Sequence, residues 1–396
     1  MVFVFFVAKK STHSSRKMER VMEEGLIRNT HDLKEACDAL VAGGVAALDT
    51  EFVWRASFRP HLAIVQMAGA DGVCRALDCQ LGTDPSPFAA VLSDPSVVKI
   101  LHAAHQDLEL MYHYTSASPV NVFDTQLAAG FCGHPANLGL QKLLYEELDV
   151  GLPKTETCTD WSQRPLTDAQ VRYALDDVRY LVALRTALLA QCDSFGTREW
   201  LEEDLLKFES PEAYGELEPD EAWKRVKNAS RYLRPFGLAG LRAVAALREV
   251  RAREWNLPRA WLGEDGSLIA LAERLQRGET SFPNVRFRHR LKNNAQRDRL
   301  AADYAAALTE AARLPEEEWP LPVQPDYPSE VRDAADKAHD YLVARGEELH
   351  IDPALFANRA QLLAFVDDPE VEDNPLAEGW RFEVAGRTII ERFYVP

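Results

Sequence analysis

The order of hydrophobic patterns along this chain of 396 residues is the feature that most constrains its fold. Short stretches rich in Val, Ile and Leu lie between residues 45 and 102, and their length and composition indicate strands. From about residue 107 to the end, apolar residues recur instead at the spacing of amphipathic helices. Strands followed by helices predict an α/β domain with a mixed sheet flanked by helices, and then all-α domains.

Two acidic, proline-containing segments divide the helical part of the chain. Residues 208–222 contain two prolines and a glycine, and residues 314–330 contain five prolines, so both are expected to interrupt helices. The predicted order is a disordered extension at 1–24, an α/β domain at 25–207, a linker at 208–222, and helical domains at 223–313 and 331–396.

The cysteines and the residues at the start of the sequence indicate in which cellular compartment the protein acts. Six cysteines are scattered along the chain without a CxxC pair, which is typical of a reducing cytoplasm. The apolar run near the start has no basic segment before it and no small-residue cleavage site after it, and a membrane span would need about 20 apolar residues. We therefore expect a cytoplasmic protein that acts as a monomer and has no membrane partner.

Charge is distributed unevenly. The formal net charge is −17, which disfavours a protein that wraps nucleic acid with its whole surface. Residues 223–299, however, carry 18 Lys and Arg against 7 Asp and Glu. Within this stretch, a helix face bearing Arg248 and Arg251 and the segment RFRHRLK at 286–292 are candidates for contact with a phosphate backbone. The alternative is a charged face that is only solvated.

Acidic residues follow two of the predicted strands. Asp49 and Glu51 in LDTEF share one face of a strand, where two carboxylates repel each other unless a cation lies between them. Asp107 in HAAHQDLE lies near the start of a helix that follows the strand VVKILH. Each has a simpler explanation: a strand end entering solvent for the first pair, and a favourable helix-dipole position for Asp107.

A third element pairs a tyrosine with an acid. Tyr173 and Asp177 in QVRYALDD are four residues apart and share one helix face, although a core tyrosine beside a surface acid would give the same pattern. Taken together, the carboxylates suit two Mg²⁺ or Mn²⁺ ions, which would clamp the attacking and leaving oxygens of a phosphodiester. Because an ordinary tyrosine pKa is near 10, orientation of water is the expected role of Tyr173.

These segments resemble a known family. LDTEF, HAAHQDLE and YALDD occur in the order of the three exonuclease motifs of the DEDD superfamily, in its tyrosine-containing (DEDDy) branch. FDTQLAAGFCG and the stretch from KTETCTDW to YALDDVRYL resemble bacterial ribonuclease D over about residues 27–205. More weakly, AWKRVKN and GLRAVAALREVRAREWNLP resemble HRDC (helicase and ribonuclease D C-terminal) domains. The first 24 residues and residues 277–299 depart from the family pattern.

The resemblance implies an RNase H-like fold and a metal-dependent 3′→5′ exoribonuclease that releases nucleoside 5′-monophosphates, with RNAs such as tRNA precursors as substrates. Carried onto this chain, it implies that Tyr173 positions water and that the metal ligands are the four carboxylates Asp49, Glu51, Asp107 and Asp177. All five motif positions are present, as an active enzyme requires.

Three further residues are candidates for contact with the RNA 3′ end. Phe52 directly follows the DTE triplet and could stack on the terminal base, although core packing is equally compatible with its position. Gln66 is polar within an apolar strand and could reach the sugar or base, or satisfy backbone groups instead. His102 lies near Asp107 and is a candidate for the terminal nucleotide.

Two other functions are compatible with the same residues. A DNA 3′→5′ exonuclease uses the same carboxylate set, and recognition of the 2′-hydroxyl separates the two activities. A non-catalytic RNA-binding adaptor would use the helical domains alone, but the five intact motif residues argue against it.

Overall fold

A computed structural model of the chain describes residues 25–152, 159–279, 282, 290–322 and 325–395. The predicted extension at 1–24 and the basic residues 286–289 lie outside the described residues.

The chain forms two compact units that do not follow the sequence in simple order. The first unit combines residues up to 53 with 62–214 and 330–395. The second unit combines residues 54–61 with 215–329. A short loop of the α/β part therefore belongs to the helical unit, and the last helices of the chain belong to the α/β unit.

The first unit is built on a six-stranded mixed sheet. Its strands are β1 (Leu26–Ile27), β2 (Val45–Val53), β3 (His61–Ala68), β4 (Cys74–Asp78), β5 (Val98–Leu101) and β6 (Val122–Asp124). The spatial order is β1-β4-β3-β2-β5-β6; β3 and β4 are antiparallel, whereas β1 with β4, β2 with β5 and β5 with β6 are parallel. The four predicted strands are confirmed, and β1 and β6 are too short to show a periodic pattern.

Helices cover the sheet. In the first half of the chain they are α1 (Thr30–Gly43), α2 (Ser86–Ser93), α3 (His105–Thr115), α4 (Thr125–Gly130), α5 (Leu140–Leu148), α6 (Asp168–Arg179), α7 (Leu181–Phe195) and α8 (Arg198–Leu205). Residues at the two ends of α1 set where the helix starts and stops. The Asn29 side chain caps the start by accepting a hydrogen bond from the Asp32 N–H, and Gly44 ends the helix at φ +66°. The predicted mixed sheet flanked by helices is confirmed.

The segment predicted as a linker is locally structured. It contains short 3₁₀ turns at Pro211–Ala213 and Pro219–Arg225. Between them, Tyr214 is only 1% exposed and its hydroxyl donates a hydrogen bond to the Phe208 carbonyl oxygen.

The second unit is helical and has its own core. Its helices are α9 (Ala229–Tyr232), α10 (Pro235–Glu254), α11 (Arg259–Leu262), α12 (Asp265–Gln276) and α13 (Asn294–Ala311). Phe58, from the loop after β2, is buried in this core; its N–H donates to Asn256 Oδ1, and the Arg259 guanidinium lies 4.2 Å from its ring centroid. This loop is therefore fixed by the helical unit.

The last helices complete the first unit. They are α14 (Ser329–Leu349), α15 (Arg359–Asp367), α16 (Gly379–Arg381) and α17 (Arg387–Phe393). Asp204 at the end of α8 is buried and accepts hydrogen bonds from the Trp380 indole N–H and from the Arg381 guanidinium. Among the described helices of both units, none is long and apolar enough to cross a membrane.

Candidate active site

Strand β2 and helix α6 bring three of the predicted carboxylates together. Carboxylate oxygens of Asp49, Glu51 and Asp177 all lie within 4.8 Å of one another. Asp49 and Glu51 project from the same face of β2, as the two-residue spacing predicts. Oxygen ligands at this separation suit a hard divalent cation such as Mg²⁺ or Mn²⁺.

Helix α6 is oriented by its ends and its apolar face. A reciprocal capping box between Thr167 and Gln170 starts the helix. Val171, Ala174 and Leu175 then pack into a cluster with Ile64 and Ala76 of the sheet. Tyr173 packs against the same cluster, and Asp177 of this helix lies beside Asp49 and Glu51 of β2.

Asp107 is placed by a residue that the sequence reasoning missed. It lies in the first turn of α3, and the Thr50 hydroxyl donates a hydrogen bond to its Oδ1. Asp107 is outside the group of three carboxylates within 4.8 Å, but its charge raises the pKa of Asp49. Thr50 stands between the two metal-ligand candidates of β2, so its side chain points to the other face of the strand.

The site gathers four acidic side chains that are all partly buried. Burial, followed by the charges of Asp107, Asp177 and Glu51, raises the pKa of Asp49 well above its ordinary value.

Burial also raises the pKa values of the other three carboxyls. Burial raises the pKa of Glu51 to about 8, helped by the charges of Asp177 and Asp107. Burial likewise raises the pKa of Asp177 to about 7, with a further contribution from Asp176, and that of Asp107 to about 6. Without a cation these carboxyls share protons, and a divalent ion would replace those protons.

Tyr173 is a donor rather than a base. Burial, together with the negative charges of Asp177, Glu51 and Asp49, raises the pKa of its hydroxyl far above the ordinary value. The phenol therefore stays protonated at neutral pH, and it makes a hydrogen bond with Asp177. Its ring centroid lies 6.2 Å from that of the buried Trp161, which limits its movement.

A cavity of about 250 Å³ opens beside the tyrosine. Tyr173 and Asp177 line one side, together with the exposed Arg172, and Gln141 of α5 lines another. Neither Gln141 nor Arg172 carries a sequence signal that would single it out.

The three residues predicted to contact the RNA 3′ end differ in burial and in hydrogen bonding. Phe52 is half-buried at the end of β2. His102 is held by two contacts, Nδ1 to Thr125 Oγ1 at 2.9 Å and Nε2 to the Leu138 carbonyl oxygen at 3.0 Å. Gln66 is fully buried in β3, and its amide has no hydrogen-bond partner within the described part of the chain. In this conformation Gln66 is not accessible to a substrate.

The two predicted RNA-contacting arginines are engaged within the second unit. Arg248 is 7% exposed and its Nη1 donates to Asp265 Oδ1 at 2.9 Å. Arg251 bonds Asp303 at 2.7 Å and also contacts Glu254. The helical pattern places both on a basic face, but it does not show that other helices supply carboxylates to that face. In the folded chain both guanidinium groups therefore already have carboxylate partners.

The geometry agrees with the known proteins that this chain resembles. Residues 26–193 match the sequence model of a family described as 3′-5′ exonuclease. Ribonuclease D of Desulfotalea psychrophila is 35% identical over 347 residues, which cover 86% of this chain and 90% of that protein. The chain belongs to the ribonuclease D family.

Two further comparisons support this assignment over the whole length. Ribonuclease D of Pseudomonas paraeruginosa is 37% identical over 92% of this chain and 96% of its own. The crystal structure of Escherichia coli RNase D, described as an exoribonuclease involved in structured RNA processing, superposes with a TM-score of 0.79 at 28% identity and covers 93% of this chain. The first unit is thus an RNase H-like 3′-5′ exonuclease domain, and the chain is a metal-dependent 3′-5′ exoribonuclease.

Proposed function

We propose that this ribonuclease D hydrolyses RNA from the 3′ end by a two-metal mechanism and releases nucleoside 5′-monophosphates. The convergence of Asp49, Glu51 and Asp177 beside Tyr173 carries the proposal. Asp107, held by Thr50, is the fourth proposed ligand. Divalent ions bound by these carboxylates would activate water and stabilise the charge on the leaving oxygen.

The residues of the chain perform the remaining tasks. When divalent ions bind, these carboxyls would release their protons to solvent and serve as charged oxygen ligands. The protonated Tyr173 hydroxyl would donate a hydrogen bond and orient the attacking water, because a tyrosine, whose ordinary pKa is near 10, is a weak base at neutral pH. Phe52 and His102 are proposed to contact the terminal nucleotide, and Gln66 would do so only after a local rearrangement.

The proposed substrates are structured RNAs with a short single-stranded 3′ tail, such as tRNA precursors. The description of Escherichia coli RNase D as acting in structured RNA processing supports this proposal. We further propose HRDC-like domains at 223–313 and 331–396, with support from the separate helical core of the second unit and from the long helix α14 followed by short helices. A monomer in the cytoplasm is in keeping with a complete set of site residues in one chain and with five free cysteines among the described residues.

The test uses a 5′-labelled RNA hairpin with a short 3′ tail and the full-length protein, with Mg²⁺, Mn²⁺ or EDTA. We expect shortening from the 3′ end only with metal, and nucleoside 5′-monophosphates as the product by chromatography. Asp177→Asn should lower the rate by at least 10²-fold because it removes a ligand charge. Asp168→Asn, at an exposed position in the first turn of the same helix, should retain the rate. Products with 3′-phosphates, or equal activity in EDTA, would overturn the mechanism.

A further inference from the structure

The described basic residues of the second unit fall into two groups. Most arginines from α10 onward form ion pairs with carboxylates of the same unit. The pairs are Arg248–Asp265, Arg251–Asp303, Arg253–Glu249, Arg259–Glu249, Arg274–Glu279, Arg277–Glu273, Arg290–Glu264, Arg297–Asp298 and Arg299–Glu254. Much of the positive charge that the sequence shows for 223–299 is therefore neutralised inside the unit.

The second group is concentrated in residues 224–234, which we call the basic segment. Arg225, Lys227, Arg231 and Arg234 are exposed, and none forms an ion pair with a carboxylate within the described ranges. Lys224 alone in this segment contacts an acid, Glu221. Four cations without a carboxylate partner in the described ranges therefore lie within this one short stretch, whereas Arg55, Arg242 and Lys292, which also have no such partner there, lie elsewhere in the second unit.

The basic segment is held rigidly by its apolar side. Trp223, Val226, Ala229 and Leu233 recur at three- and four-residue intervals and are buried in the core of the second unit. Because these four side chains are buried whereas Arg225, Lys227, Arg231 and Arg234 are exposed, the basic side chains lie on the outer side of the segment.

The backbone of the segment is also fastened to both ends of α12. The Lys227 N–H donates to Asp265 Oδ2 at 3.3 Å, and the Arg234 N–H donates to Gln276 Oε1 at 2.6 Å. Arg248 pairs with the same Asp265, so its contribution is to fix the segment rather than to touch a ligand.

The segment forms a concave surface with an aromatic ring at its edge. Residues 223–231 line a cavity of about 280 Å³. Tyr232 follows directly, is 49% exposed, and has the Arg231 guanidinium 5.7 Å from its ring centroid. Fixed cations around a depression, next to an exposed aromatic face, match the chemistry of single-stranded RNA: phosphates bind the cations and a base stacks on the ring.

We propose that the basic segment binds the phosphodiester backbone of the RNA substrate, with Tyr232 stacking on an unpaired base. This inference rests on the proposed function, because it assigns a second contact region to the same RNA. The strong negative charge of the rest of the chain would direct the RNA to this segment by repelling it elsewhere. An acidic peptide would use the cations but gain nothing from the aromatic face.

The test measures RNA binding by fluorescence anisotropy in EDTA, where no hydrolysis occurs, with full-length protein across a range of salt concentrations. The variant R225Q/K227Q/R231Q removes three unpaired charges. The matched control R277Q/R290Q/R297Q removes three exposed charges that are ion-paired in the same unit. We expect the first variant to bind the tailed hairpin about 10- to 100-fold more weakly and to lower the salt slope by about 2, since each lost phosphate contact removes about 0.7.

The control should bind within about twofold of the original protein, and thermal midpoints should show that both variants are folded. Tyr232→Ala should weaken binding of a single-stranded RNA about fivefold or more, and Tyr232→Phe should preserve it, because stacking needs only the ring. Equal losses in both triple variants, an unchanged salt slope in the first, or tighter binding of polyglutamate than of RNA would overturn the proposal. Dinucleotide hydrolysis by the unmodified protein with Mn²⁺ tests the proposed function separately, because it needs no upstream contact.

Discussion

At the scale of single residues, the protonation of the four site carboxyls matters as much as their negative charge. Burial raises the pKa values of Asp49, Glu51, Asp107 and Asp177, and the charges of neighbouring carboxylates raise them further. A group whose pKa is higher in the folded than in the unfolded state stabilises the fold at low pH and loses that contribution as pH rises. The metal-free protein therefore carries a stability penalty at neutral pH that a divalent ion removes.

This gives a pH-dependent prediction. Between about pH 4, where unfolded carboxyls titrate, and pH 8, the pKa of Glu51, the thermal midpoint of the metal-free protein should fall. Mn²⁺ should raise the midpoint more at pH 8 than at pH 5, and calorimetry in buffers of different ionisation enthalpy should show release of about one to two protons on binding at pH 6 to 7. Glu51→Gln should flatten the pH dependence. The assignment of a raised pKa to Glu51 would be contradicted if the thermal midpoint of the metal-free original protein rose steadily from pH 5 to 8 while that of Glu51→Gln did not.

Thr50 gives a second prediction at this scale. Its hydroxyl holds Asp107, so Thr50→Val, which keeps the size but removes the donor, should lower the exonuclease rate about 10-fold and raise the metal concentration needed for half-maximal activity. Thr50→Ser should retain both. The measurement is the rate of hairpin-tail shortening against Mn²⁺ concentration. Thr50→Val with unchanged metal dependence would mean that Asp107 is positioned by other contacts.

At the scale of elements, the carboxylate of Asp124 fixes the turn that leads to Asp107. Asp124, at the end of β6, is 5% exposed and accepts hydrogen bonds from four backbone N–H groups. Two of them, from Gln126 and Leu127, start α4, and two, from Ala103 and Ala104, belong to the turn before α3. Ala103 has a φ of +57°, a conformation that needs such external support.

We expect Asp124→Ala to lower the free energy of unfolding by about 2–4 kcal/mol, because it leaves several buried N–H groups without an acceptor. Asp124→Asn should lower the free energy of unfolding by a smaller amount, since its amide oxygen can still accept the hydrogen bonds that Oδ1 accepts. Urea unfolding measures both, and hydrolysis rates at a temperature where both variants are folded report on Asp107. Asp124→Asn that is as unstable as Asp124→Ala would show that the full charge is needed.

The elements also show what a sequence can and cannot predict. Spacing within one element is visible in the sequence: Asp49 and Glu51 on a strand, and Tyr173 and Asp177 on a helix, were found and are brought together. Partners supplied by another element are not visible. The sequence makes the basic face of α10 a candidate for phosphate contact, but it does not reveal that Asp265 from α12 forms an ion pair with Arg248.

The same limit applies to Gln66: its polarity within an apolar strand is compatible with a substrate contact or with a buried position, and in the folded chain it is completely buried. Thr50 and Asp124 were missed because a threonine in a strand and an aspartate before a helix are common. Their importance depends on contacts with residues 57 and 21 positions away, respectively.

At the scale of the whole molecule, neither compact unit is a continuous stretch of the sequence. The last residues, from 330, belong to the exonuclease unit, whereas the loop at 54–61 belongs to the helical unit. Deleting residues 223–396 would therefore do more than remove RNA-binding helices. It would expose the apolar Phe58 and remove the Trp380 and Arg381 partners of Asp204.

The C-terminal helices should accordingly be required for the stability of the exonuclease unit. Arg381 makes a two-point contact with Asp204, with both distances 2.6 Å, and Trp380 stacks on Trp200 at a centroid separation of 5.2 Å. Arg381→Met leaves a buried carboxylate without its charged partner and should lower the free energy of unfolding by about 3–5 kcal/mol. Arg387→Met, which removes an exposed i,i+4 pair with Glu383, should change it by less than about 0.5 kcal/mol.

Urea unfolding followed by tryptophan fluorescence measures this difference, because Trp200 and Trp380 report on the contact directly. The double variant Asp204→Asn with Arg381→Met should recover part of the loss, since it removes the stranded charge together with its partner. If the C-terminal helices served only to bind RNA, both single variants would be equally stable and only the affinity for RNA would change. A large loss for Arg381→Met with partial recovery in the double variant would instead show that these helices are an integral part of the catalytic fold.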